Sequence, residues 1–383
     1  MARALYIHWP FCLAKCPYCD FNSHVRDSVD HSEWEAALLA DMRHEAELAG
    51  GERLESVFFG GGTPSLMPPR LVARLLDEAE KLWGFAEGIE ITLEGNPSSI
   101  EAKNYRVLAN AGINRVSLGI QALDDATLRF LGRLHSTEEA LKALETAHQC
   151  YQRVTFDLIY ARPGQSPARW QRELERALAF GTGHMSLYQL TIEPGTKFAT
   201  MVRQGDFTPL DDDAAADLFA LTREMTTAAG LPAYEVSNHA RPGEESRHNL
   251  TYWRYHDYAG IGPGAHGRRG GMATVRHKKP ENWLAAIGDK GNGLAEERQL
   301  GLAEQASEAM LMGLRLAEGV DLSALSARFS LPRDALCDPA KLAFYAAQGL
   351  AWQRGTRIGV TAAGMPLLDG LLGELVPAKL VEA

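Results

Sequence analysis

No apolar run in this chain approaches the roughly 20 residues that cross a bilayer, and the eleven residues before Cys12 are too short for a signal peptide. A soluble protein resident in the cytoplasm is therefore expected. Positive charge is in deficit: 39 Lys and Arg against 49 Asp and Glu leave a net −10 at pH 7. Sequence-independent binding to nucleic acid needs an excess of cations over phosphates, so no nucleic-acid partner is expected. Cysteine is rare as well, five in 383 residues, which excludes a disulfide framework; Cys150 and Cys337 stand alone and read as packing residues. There is no internal repeat and no low-complexity tract. What the chain does have is apolar material, 45% of its residues, enough for one large domain plus a smaller one.

Up to about residue 236, short β-rich runs alternate with amphipathic stretches, the pattern of a parallel sheet with helical crossovers. Expected strands are 4–8, 56–59, 90–94, 115–119, 155–159 and 184–190, and a helix follows Asp211-Asp212-Asp213 and stops at Gly230. Six such units are too few for a closed eight-stranded barrel, so the fold class is α/β, an open, partial (β/α)6 barrel over residues 1–236. Residues 237–295 have weaker periodicity and read as a connecting region of loops and short strands over the barrel edge. Residues 296–383 read as a smaller α+β domain: helices over 302–316, 322–329, 340–348 and 366–375, with a strand-turn-strand around Gly355. That outline is winged-helix-like. Residues 301–383 nevertheless carry 7 Lys and Arg against 9 Asp and Glu, so a packing or partner-binding role is preferred to DNA binding.

Cys12, Cys16 and Cys19 follow the first strand directly, where the loops at strand C-termini of such barrels build active sites. Three thiolates from one loop with no nearby fourth suit a 4Fe-4S cubane whose last iron stays open. Competing readings are a zinc site completed by His8 or His24, a Cys16–Cys19 redox pair, and a structural role. A glycine run, Gly60-Gly61-Gly62-Thr63-Pro64, ends the second strand and lets backbone approach a ligand closely. Glu94, Gln121, Arg133 and Asp157 put polar groups at or just beyond further strand ends.

The cysteine triad and the glycine run resemble the radical SAM superfamily, which implies a 4Fe-4S cluster and S-adenosylmethionine (SAM), cleaved by one electron to a 5′-deoxyadenosyl radical. Longer stretches narrow the resemblance to oxygen-independent coproporphyrinogen III oxidases and their relatives, the HemW haem chaperones. These are Tyr6-Ile-His, the cysteine loop through Asn22, Glu94-Gly-Asn-Pro97, residues 112–121, 131–135, 188–195, 248–253 and 262–267. The resemblance implies cofactor contacts at Tyr6, Tyr18, Gly61, Gly62, Thr63, Glu94, Gln121, Arg133, Asp157, Leu190 and Ala265, with Cys12, Cys16 and Cys19 as cluster ligands. The chain departs from the family at Ala161-Arg162-Pro163-Gly164, where relatives carry Gly-Leu-Pro-Gly.

Within that family two features favour the chaperones over the oxidases. Phe21 stands where the oxidases carry a fourth cysteine, and little chain precedes Cys12. His248-Asn249-Leu250-Thr251-Tyr252 matches the chaperones' haem-associated motif, which implies haem contacts at His248, Asn249 and Tyr252, with His266 and His277 as other candidate ligands. The basic run Arg268, Arg269, Arg276, Lys278 and Lys279 reads mainly as a solvated hairpin, with propionate binding as the alternative. The expected function is haem binding and delivery to membrane respiratory haemoproteins, with membrane contact only through those partners; a homodimer is compatible with it. The competing function is oxidative decarboxylation of coproporphyrinogen propionates.

Overall fold

The computed structural model describes residues 2–49, 51–377 and 380. Strands and helices alternate from the start: β1 (Ala4–Trp9), α1 (His31–Ala49), β2 (Leu54–Gly61), α2 (Pro69–Trp83), β3 (Phe85–Gly95), α3 (Tyr105–Asn110), β4 (Arg115–Gln121), α4 (Thr137–Cys150), β5 (Arg153–Tyr160), α5 (Pro167–Leu178), β6 (His184–Gln189) and α6 (Asp212–Ala228). β1 to β6 pair side by side, all parallel, in chain order. Local signals start the helices: Ser136 and Glu139 form a capping box at α4, and Asp211 caps α6.

Side chains along a strand alternate between faces. Here the two faces have opposite character. Leu5, Ile7, Trp9, Val57, Phe59, Leu93, Val116, Leu118, Phe156 and Leu158 turn outward into one core shared with Leu38, Met42, Leu75, Leu144, Trp170 and Leu174 of the helices. The intervening positions include Tyr6, His8, Glu94, Ser117 and Asp157 and turn inward. The core thus lies between sheet and helices, and the concave face is left for chemistry.

Residues 237–295 are integrated into the sheet more fully than the sequence reading allows. β7 (Asn238–Ala240) pairs antiparallel with β6. After α7 (Arg247–Trp253), β8 (Tyr258–Ile261) lies parallel to β1 on its other side, a seventh parallel strand. β9 (His266–Arg269), β10 (Met272–Arg276) and, after α8 (Pro280–Lys290), β11 (Leu294–Gln299) extend it antiparallel. Among the described residues the order is β11-β10-β9-β8-β1-β2-β3-β4-β5-β6-β7. The segment hides its strands because close approach replaces side-chain packing: a Cβ on Gly260 would fall 1.9 Å from the carbonyl oxygen of His266.

The basic run in this segment is neither a solvated hairpin nor free to hold propionates, as far as its arginines go. Arg268, Arg269 and Arg276 are all buried. Arg276 meets Asp41 at 2.8 Å and Glu45 at 2.7 Å, Arg269 meets Glu45 at 3.2 Å, and Arg268 lies 3.5 Å over the Tyr255 ring. Asp41 also accepts from the backbone N–H groups of Gly262 and Gly293 and from the Trp283 indole. α1 therefore holds β8 to β11 by buried charge, which tolerates no missing member.

The remaining elements are α9 (Leu302–Gly313), β12 (Val320–Asp321), α10 (Leu322–Phe329), α11 (Pro339–Ala347), β13 (Ala351–Arg354), β14 (Arg357–Val360) and α12 (Leu368–Leu375). Their three strands form a separate small sheet, β12-β14-β13. A second core gathers Met310, Leu314, Phe329, Leu342, Ile358 and Leu375, with Cys337 inside it and Phe219 and Tyr255 entering from the barrel side. Cys150 packs at the margin of the main core. No helix among the described residues is long and apolar enough to cross a membrane.

Arg276→Ala would leave Asp41 and Glu45 buried and uncompensated, a cost of about 3–5 kcal/mol. Urea unfolding should show a loss of that order, and a loss below about 1 kcal/mol would contradict the structural role assigned to the cluster.

Candidate functional site

The strand C-termini on the inner face surround a cavity of about 310 Å³, lined by Cys12, Cys16 and Cys19 together with Gly61, Thr63, Glu94, Gln121, Arg133 and Asp157. The cysteine loop is fixed at several points. Its two ends pair as short parallel strands, Phe11–Cys12 with His24–Val25. The Thr63 hydroxyl donates to Cys12 Sγ at 3.3 Å, and Arg133 Nη1 to Cys16 Sγ at 3.4 Å. His8 Nε2 lies 2.9 Å from the Asn22 carbonyl oxygen, so that nitrogen carries the proton and donates. Nδ1 is then the acceptor, and the Tyr6 hydroxyl donates to it at 2.9 Å. Burial lowers the His8 pKa to about 4 and keeps the ring neutral for this role.

The glycine run is required by what surrounds it. Gly61 has φ +117°, and a Cβ there would lie 2.6 Å from the His8 ring; at Gly62 it would lie 2.7 Å from the Phe11 carbonyl oxygen. Gly62 and Thr63 donate backbone N–H groups to the carbonyls of Trp9 and Phe11 at 2.7 and 2.9 Å. The second strand's end is thereby laced to the cysteine loop. Beyond it, Asn96 donates to the Thr63 hydroxyl at 3.2 Å and accepts from Arg133, whose Nη2 also reaches the Gly119 carbonyl at 2.8 Å. Gln121 sits at φ +73°, a conformation that costs a non-glycine residue about 1–3 kcal/mol and concentrates at functional sites.

Two carboxyl groups face each other across the floor. Loss of solvation raises the Glu94 pKa to about 8, with Asp157 adding repulsion, and raises Asp157 to about 6 against hydrogen bonds from Ser186 and Ser117. Glu94 accepts from the Gly61 N–H at 3.2 Å. Burial also raises the Cys12 thiol, so metal binding there must displace a proton. Gln121 Oε1 and Arg133 Nε are buried with no protein partner among the described residues. Unpaired polar atoms of that kind call for a ligand.

These residues fit a cluster and SAM. No group of three His, Cys, Asp or Glu side chains among the described residues closes on a point that one metal ion could fill. The three thiols instead share the wall of a common cavity, and His8 and His24, which a zinc site would enlist, hydrogen-bond to Asn22. A polynuclear cluster is the better match to this donor set.

Of the residues expected around the cofactor, Tyr18 and Gly62 line the cavity as well, while Tyr6, Leu190 and Ala265 do not. Tyr6 acts through His8. Leu190 packs beside Leu128, Ile159 and Phe198, and Ala265 is buried in the turn leading to β9. Residues 161–164 do not line the cavity; Arg162 turns away to pair with Glu173. Asn96 and His135 do line it and were not singled out from sequence, although both lie inside the quoted stretches Glu94-Gly-Asn-Pro97 and 131–135.

The haem-associated motif lies elsewhere, on α7, which plugs the opposite end of the barrel. Glu90 accepts from the backbone N–H groups of Arg247 and His248, both at 3.2 Å, and binds Arg153 at 2.6 Å. His248 is 1% exposed, its ring stacks on Phe58, Nδ1 meets Ser56 Oγ at 3.0 Å and Nε2 meets the Tyr252 hydroxyl at 2.5 Å. Asn249 gives its backbone N–H to the Ser246 cap. In this arrangement both ring nitrogens of His248 have side-chain partners, Ser56 and Tyr252. His266 is exposed at the start of β9.

A parallel inner-face barrel with three clustered thiols and a glycine-laced wall defines a radical SAM protein, and the Radical SAM superfamily model matches residues 6–177. The HemN C-terminal domain model matches residues 300–367. The chain is 37% identical over 324 residues to the heme chaperone HemW of Escherichia coli, covering 82% of this chain and 83% of that one. It is 31% identical over 379 residues to HemW of Bacillus subtilis, covering 97% and 100%. The mouse mitochondrial radical S-adenosyl methionine domain-containing protein 1 is 41% identical over 326 residues, 83% of this chain and 74% of that protein. The chain belongs to the HemW family of radical SAM proteins. Coproporphyrinogen III oxidase of E. coli superposes with a TM-score of 0.81 over 96% of this chain and 88% of its own, at 23% identity, which establishes the shared fold. Membership of the superfamily implies a 4Fe-4S cluster and SAM.

Below pH 4.5 the Glu94 carboxyl is neutral folded or unfolded; from there to about pH 8 only the unfolded chain ionises it. The cofactor-free protein should therefore lose stability as pH rises through this window. Glu94→Gln should flatten that part of the melting-temperature profile between pH 5 and 8, and an unchanged slope would contradict the burial of this group.

Proposed function

We propose that this protein is a haem chaperone that holds a 4Fe-4S cluster and SAM, carries haem as cargo and delivers it to respiratory haemoproteins. The observation that carries this reading is 31% identity to a heme chaperone in a match that spans 97% of this chain and the whole of that relative. Phe21 supports it. This side chain is 62% exposed at the cavity wall, at the position where the oxidases carry a further cysteine.

Each wall residue has a part. Cys12, Cys16 and Cys19, which share one cavity wall, would hold the cluster. When bound, cluster and SAM supply one-electron chemistry, which the protein orients. The backbone of Gly61 to Thr63 receives the methionyl amino group, and Arg133 pairs with its carboxylate while remaining tied to Cys16. Glu94 and Asp157 take the ribose hydroxyls; at neutral pH the first is largely protonated and the second ionised, so the pair can both donate and accept. Gln121 Oε1, unpaired without ligand, accepts from the nucleoside. Tyr6 and His8 position the loop through their hydrogen bonds to each other and to Asn22.

Gly61→Ala, which forces a side chain into a left-handed backbone and against His8, should abolish SAM binding by equilibrium dialysis. Retained affinity would remove the glycine run from the cofactor site. On anaerobically reconstituted protein with SAM and a reductant, stoichiometric haem uptake and transfer to an apo-haemoprotein are expected without carbon dioxide release from coproporphyrinogen. Release of carbon dioxide with formation of protoporphyrinogen would replace this function with the decarboxylase.

A further inference from the structure

Ten large apolar side chains are exposed among the described residues, and three of them, Leu13 (59% exposed), Phe21 (62%) and Leu134 (72%), line the same cavity. Leu13 and Phe21 lie on the cysteine loop and Leu134 follows Arg133, so the three edge the chamber that holds the cluster. Exposure of this kind has no folding benefit; grouped around one opening, it marks a binding surface. Lys15 lines the same cavity from the same loop, is exposed, and has no ion-pair partner among the described residues, while the arginines of the downstream basic run are buried.

We propose that this rim is where haem is carried: the macrocycle lies across the chamber mouth against Leu13, Phe21 and Leu134, with a propionate on Lys15. The proposal rests on the haem-chaperone reading and adds a location to it. Leu13, Phe21 and Leu134 line the same cavity as the three cysteines, so a macrocycle on them would lie beside the cofactor residues. Haem, a flat apolar disc edged by two carboxylates, fits three apolar side chains beside an unpaired ammonium. A second copy of this chain fits less well, since it would bury Lys15 without an anion. Phe21 then has a positive role: where an oxidase carries a further cysteine, this chain places an apolar ring for the cargo to lie on.

The test is a titration of the reconstituted protein with haem, followed by Soret absorbance, comparing the unaltered chain with the triple variant Leu13→Ser, Phe21→Ser, Leu134→Ser and with Lys15→Glu. All four positions are exposed, so folding should survive, with cluster absorbance and SAM affinity as internal controls. The triple variant should lose haem affinity by about tenfold or more. Lys15→Glu should weaken haem but not its dimethyl ester, which lacks the propionate charges. If the unaltered protein binds haem and the triple variant binds it equally, the rim is overturned and the chaperone reading stands. If the unaltered protein takes up no haem, both fall. If the triple variant binds haem normally but no longer self-associates, the rim belongs to a second copy and the proposal is overturned.

Discussion

The site depends on one constraint, the two-residue alternation of side chains along parallel strands that are greasy on one face and polar on the other. Leu5, Ile7 and Trp9 bind β1 to the helical layer, and the same strand turns Tyr6 and His8 inward. Moving any strand by one residue would exchange the two sets, placing carboxyl groups in the core and leucines in the chamber. The register that makes the fold stable is thus the register that aims Glu94, Ser117 and Asp157 at one volume.

Alternation alone would give only a polar trough. The cysteine loop walls one side of it, and that loop is held from two sides: the glycine run laces one flank to Trp9 and Phe11, and Asn22 ties the other to the Pro263 and Lys278 carbonyls, both at 2.9 Å. Gly264 must be glycine for this contact, because a Cβ would lie 2.5 Å from the Asn22 amide. The segment after β8 is in turn pinned to α1 through Asp41. Buried charge far from the cavity therefore sets where the thiols stand.

Much of this was legible in the sequence for physical reasons. The six leading strands are marked by apolar alternation, and chemistry-bearing residues cluster just after them because parallel barrels present strand C-termini together. Glycine and cysteine spacing survive translation into structure because they encode backbone approach and ligand count. Long-range pairing was not legible. Nothing local in Arg269 and Arg276 tells a solvated charge from one facing Asp41 and Glu45 more than 200 residues away. His248 likewise looks like a ligand in sequence; only the fold reveals that Ser56 and Tyr252 occupy its two nitrogens. Asn96 was overlooked because its neighbour Glu94 carries the more conspicuous chemistry, whereas its own work is to join Thr63 to Arg133.

Diffraction at the iron absorption edge, from crystals of anaerobically reconstituted protein grown with SAM, tests the account most directly. Iron bounded by Cys12, Cys16 and Cys19 is expected, with SAM reaching from it along the inner face to Gly61, Glu94, Gln121 and Asp157. Iron held away from the three cysteines, or SAM seated off that face, would contradict the chamber described here.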